Sequence, residues 1–87
     1  TYTERSKTYG DNWLKIGDVL VALFNQGIEL RSADDFNRFH LLLMMLVKIT
    51  RFVESGLQHQ DSVHDCAVYA AMLESLLTAK EVIDEQE

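Results

Sequence analysis

The stretch Phe39-His40-Leu41-Leu42-Leu43-Met44-Met45-Leu46-Val47-Lys48-Ile49-Thr50-Arg51 is apolar on every side at its centre when wound into a helix. On a 100° wheel, Asp34, Asn37, Lys48, Arg51 and Ser55 make the polar stripe of this segment, and Leu41 and Met44 fill its middle. A helix without a continuous wet face belongs to the middle of a bundle or to a subunit interface. Two neighbours from a three-helix chain cannot enclose all of it. Self-association, most simply into a dimer, is therefore expected to complete the fold.

Working outward, Ser32-Ala33-Asp34-Asp35 supplies a helix start: Ser32 is placed to cap, and Asp35 takes the third helical position of a capping box, with Asp in place of Glu. This second helix should run over residues 32–55. A first helix is expected over 11–25, with Trp13, Ile16, Leu20 and Phe24 on its apolar side; Asn25-Gln26-Gly27 reads as its stop. Gly17 lies in that apolar stripe, where it is expected to allow a close helix approach. After Gly56 a third helix is expected over 61–83, with Asp65, Cys66, Tyr69, Met72, Leu73 and Leu76 on one arc and His64, Ala67, Ala71, Glu74 and Ser75 opposite. The fold class is thus all-α: a three-helix antiparallel bundle forming one domain over residues 1–87, with an N-terminal segment 1–10 and an acidic tail 84–87.

Composition narrows the function. Hydrophobic residues make up 47% of the 87 positions against a formal charge of −6, which is too apolar for a disordered chain. The basic residues are dispersed rather than clustered with aromatics, so direct nucleic-acid binding is not expected. Leu41 to Val47, the longest apolar run, is far too short to cross a bilayer. With one cysteine and no visible signal peptide, a reducing cytoplasm is the expected compartment, the host's if the chain is phage-encoded. His40, His59 and His64 lack metal-ligand spacing, no Cys–His array exists, and Cys66 reads as a small buried hydrophobe.

Chemistry concentrates at the start of the third helix, where Asp61 and Asp65 lie one turn apart. Asp61 has a local reading as the helix cap, with Ser62 and Asp65 as a competing capping box. Asp65 shares its stripe with Tyr69 and Met72, so its carboxylate is turned toward an apolar surface and needs a partner. Either it pairs with Lys48 or Arg51, or it belongs to a metal or phosphate site in which those two cations meet phosphate.

Lys7-Thr8-Tyr9-Gly10-Asp11-Asn12-Trp13, then Lys48-Ile49-Thr50-Arg51, then Asp61-Ser62-Val63-His64-Asp65 with Tyr69-Ala70-Ala71, together resemble a family of small uncharacterised phage and prophage proteins over nearly the whole chain. The same blocks are similar, more distantly, to nucleotide-modification-associated phage domains and to the all-α nucleoside triphosphate pyrophosphohydrolases of the MazG type. That resemblance implies Mg2+-dependent nucleotide binding or pyrophosphohydrolysis. Asp61 and Asp65 would hold the ion, Lys48 and Arg51 would contact phosphate, and Tyr9 or Trp13 would stack on a base. MazG-like enzymes carry acidic pairs on two helices, whereas the second helix here offers Leu, Met and Val where the first pair would stand. The alternative is a non-catalytic, homo-oligomeric binding module that targets a host protein or sequesters a small nucleotide. Whether the chain is an enzyme stays open at this point.

Overall fold

A computed structural model describes residues 12–86, with side-chain surroundings for 15–79. Three helices follow one another: α1 (Asn12–Leu23), α2 (Ala33–Glu54) and α3 (Gln60–Gln86). No strand occurs among the described residues, and the expected all-α class is borne out. Segment 1–10, including Tyr9, lies outside the described residues. The third helix continues three residues past its expected end at Ile83, because nothing between Lys80 and Gln86 is a helix breaker.

The start of α2 is the capping box read from the sequence. Ser32 is extended (φ −99°, ψ 163°); its Oγ accepts from the Asp35 amide at 3.0 Å, and the Asp35 carboxylate accepts from the Ser32 amide at 3.3 Å. The Arg31 amide donates to the same carboxylate at 3.1 Å, and Arg38 reaches it from the next turn at 2.7 Å. Those backbone amides, of Arg31 first and Ser32 second, hold the Asp35 carboxyl below the usual carboxylate range, with Arg38 adding to the effect. Gly27 and Gly56, at φ 82° and 77°, supply the left-handed turns that end α1 and α2.

Packing follows chain order. The α1–α2 contact is antiparallel: Phe24 meets Phe39 with ring centroids 6.0 Å apart, and at the opposite end Lys15 pairs with Glu54. The α2–α3 contact is antiparallel too and much more extensive, and α1 makes no close approach to α3 among the described residues. The bundle is therefore open, with α2 in the middle and a groove between α1 and α3.

That openness changes several side-chain expectations. No apolar side chain among the described residues is fully buried; Ser62, at 1% exposure, is the buried residue. Lys48 belongs to the expected wet stripe of α2, yet it turns toward α3 and its side chain is only 16% exposed. The exposed residues of α2 include Phe36, Asn37, His40 and Arg51, a stripe rotated away from α3, and Leu41 and Met44 are half-buried. Met72, expected on the packed arc of α3, is 51% exposed. The close approach expected at Gly17 is also absent: the residue is exposed, and a Cβ there would meet nothing within 4 Å.

Candidate functional site

The corner between α2 and α3 gathers the sequence-predicted polar residues. It is fastened first by Ser55, whose Oγ donates to the Phe52 carbonyl at 2.7 Å and accepts from the amides of Gln58 (3.1 Å) and His59 (2.9 Å). That hydroxyl completes the turn through Gly56 and Leu57, the latter also at positive φ (65°). The chain then enters α3 at Gln60, which places His59 in the flanking position and Asp61 within the first helical turn. Asp61 is thus not the cap that its local reading made it.

The competing box of Ser62 with Asp65 does not form either, because each has a different partner. Ser62 Oγ lies 2.6 Å from His59 Nδ1. Asp65 accepts from Lys48 Nζ at 3.0 Å, and its side chain is 42% exposed. The Lys48 hydrogen bond holds the Asp65 carboxyl below the usual carboxylate range; partial burial opposes this, and the charges of Lys48, His64 and Arg51 add to it. Of the two cations proposed for Asp65, Lys48 makes the contact and Arg51 stays exposed, acting through its field. Asp61 is exposed one turn before Asp65, on the same side of α3. Trp13 is in α1, but its side chain, like all of Tyr9, lies outside what is described, so neither can be set against this cluster.

Ser62 was read from the sequence only as half of a capping box, and its place at the centre of the packed face was missed. Its signal was the wheel: Ser62 stands one turn before Cys66 and on the line of Tyr69 and Leu73, the centre of the packed face. A small hydroxyl is not counted in an apolar arc, yet it is the size that fits where two helices come close. Cys66 lies on the same face, half-buried, with its thiol 3.9 Å from the Met45 carbonyl of α2.

Two clefts open along this hairpin. One, of about 320 Å3, is lined by Lys48, Ile49, Phe52, Val63, Cys66 and Ala70 among others; the second, of about 390 Å3, lies between Phe24, Ile28, Phe39, Leu42, Leu73 and Leu77. Both are mainly apolar, and the polar cluster borders the first through Lys48. Among the described residues no group of three or more His, Cys, Asp or Glu side chains is placed to hold a metal ion. Asp61 and Asp65 are two carboxylates, one already neutralised by Lys48, so they fit a hydrated divalent ion only when a ligand completes its shell. No helix among the described residues is long and apolar enough to cross a membrane.

Comparison with known proteins gives the chain its kinship. It is 37% identical over 76 residues to the Gene 55 protein of Mycobacterium phage L5, covering 84% of this chain and 44% of that protein. The chain thus spans less than half the length of this relative. No solved structure matches. The expected kinship with phage proteins is borne out at this level. The family model spans residues 1–77, which include Tyr9, Trp13, Lys48, Arg51, Asp61 and Asp65, and on that match the chain belongs to the family described as a domain of unknown function, DUF6378.

Proposed function

We propose that the α2–α3 corner handles nucleotides, binding their phosphates together with a divalent cation. The observation that carries this reading is the Lys48–Asp65 contact at 3.0 Å, with Arg51 and His64 near enough to act on the same carboxylate. Such a cluster holds exchangeable charge: a phosphate can take Lys48 from Asp65 and draw in the exposed Arg51, and the freed Asp65 with Asp61 then faces the cation that the phosphate brings. Magnesium suits this arrangement because it keeps several waters and shares its shell with substrate phosphates rather than demanding an all-protein cage. When bound, it would neutralise phosphate charge; the chain's own residues bind and orient. Tyr9 or Trp13 is proposed to stack on the base.

A thermal-shift screen of the whole chain with nucleoside mono-, di- and triphosphates, with and without magnesium, tests the reading. A magnesium-dependent rise in melting temperature with a triphosphate is expected, and it should be lost in Asp65→Asn and in Lys48→Met. No shift with any nucleotide at millimolar concentration would overturn it. Incubation of the same mixtures then separates the two kinds of nucleotide handling. Release of pyrophosphate marks a pyrophosphohydrolase, and binding without turnover marks a module that sequesters its nucleotide.

A further inference from the structure

We infer that the base of a nucleotide held at the α2–α3 corner lies on Tyr69 and Met72 of α3, an inference that rests on the phosphate-binding reading of Lys48 and Arg51. Two contacts fix how the hairpin is registered. Asp65 meets Lys48, and the Cys66 thiol lies against the Met45 carbonyl, so in this antiparallel pair each step forward on α3 is a step back on α2. Tyr69, one turn beyond Asp65, is therefore level with Met44, and Met72 is level with Leu41. This is the side of the hairpin away from the two clefts. On a 100° wheel Asp65, Tyr69 and Met72 share one edge of α3, whereas Val63, Ala70 and Leu77, which line the clefts, share the other. Leu41 and Met44, the residues that fill the polar stripe of α2, thus meet Tyr69 along a common floor. Leu41, Met44 and Tyr69 are half-buried, and Met72 at its rim is 51% exposed.

The choice of occupant rests on what stands at the head of this floor. Lys48 and the exposed Arg51 supply positive charge there, beside the carboxylates of Asp61 and Asp65; an anionic group is held at that end, and an apolar, flat group follows along the helix. At the helical rise, Tyr69 and Met72 stand about 6 Å and about 10 Å further along α3 than Asp65, which is the order of the separation between the first phosphate of a nucleotide and its base. The Tyr69 ring offers a π-face to a base, and the Met72 thioether is a polarisable contact at an aromatic edge. The other face of the base is left to Tyr9 or Trp13.

A purine nucleoside triphosphate and inorganic tripolyphosphate, each with magnesium and titrated into the whole chain, separate the base from the phosphates. The ring current of the base is expected to displace the Met72 methyl signal in an NMR titration, with the signal assigned by its loss in Met72→Leu; tripolyphosphate, which has no ring, should leave it in place. Tyr69→Leu should lower affinity for the nucleotide about tenfold while affinity for tripolyphosphate is unchanged, and Tyr69→Phe, which keeps the ring, should bind the nucleotide as the unaltered chain does. A nucleotide that binds without moving the Met72 signal would overturn the inference, as would a Tyr69→Leu chain that binds both ligands as before or loses both equally; the phosphate reading would survive either result. No binding of either ligand would overturn the phosphate reading and this inference together. If Tyr69→Leu does not fold, the Met72 signal of the unaltered chain still decides.

Discussion

The α2–α3 contact and the α1–α2 contact are built from different materials. The first is threaded with directional bonds: Lys48 to Asp65, the Cys66 thiol toward Met45, and, at its turn, Ser62 on His59 and Ser55 on three backbone groups. The second rests on the tilted Phe24–Phe39 pair and an exposed ion pair between Lys15 and Glu54. Apolar contact without burial is weak, and exposed ion pairs contribute little. Among the described residues, one hairpin is thus specified in detail, and α1 is laid against it with few directional constraints.

The sharpest way to break the contrast is Ser62→Leu. Overfilling the most buried position should cost about 1–3 kcal/mol and separate α2 from α3, read as a drop in the urea midpoint. Phe24→Ala should cost less, about 1–2 kcal/mol, since a half-buried ring returns less than the full value of a core phenylalanine. Its signature is local: hydrogen exchange should quicken in α1 while α3 keeps its protection. Gly17→Ala acts in the opposite sense. Its Cβ enters open space, so the substitution should stabilise α1 by about 0.5–1 kcal/mol, and a lower melting temperature would show that α1 is constrained there after all.

The smallest effect belongs to Lys48→Met, because Asp65 is well enough exposed to keep its water. The test is its pH dependence. With its folded carboxyl lowered, Asp65 contributes stability above the unfolded carboxylate value, and that contribution fades as pH falls through the lower folded value. The stability difference between the unaltered chain and Lys48→Met should therefore be present at neutral pH and shrink on acidification. In parallel, the NMR titration midpoint of the Asp65 carboxyl should rise in the variant. A midpoint unchanged by the substitution would show that Lys48 is not the group that sets it.

The helices were legible because their ends carry local chemistry. Ser32 with Asp35, and the glycines at 27 and 56, act through bonds and dihedral angles within a few residues, and the wheel placed Asp65, Cys66, Tyr69 and Leu73 on one face. What escaped depended on how the helices rotate against one another. Lys48 reads as a wet residue until α3 is laid beside it; its long aliphatic stem can then cross an apolar surface while the ammonium reaches Asp65. Gly17 reads as a contact until α1 turns that side outward. Asp61 reads as a cap until His59 takes the flanking place and moves the first turn by two residues. The pairing of Lys48 with Asp65 was legible as one of two alternatives, and distance chose it over Arg51.

Each helix rests on its neighbour in sequence and α1 does not approach α3, so every helix–helix contact in the described chain is made within a hairpin of successive helices. Such a topology has low contact order, and its helical hairpins can assemble without a slow search for distant partners. It also behaves one-dimensionally, as stacked repeats do, with stability divided between two successive junctions. The α2–α3 hairpin is then the unit that forms early, and α1 adds to it afterwards. On that order Ser62→Leu should slow folding, whereas Phe24→Ala should chiefly speed unfolding.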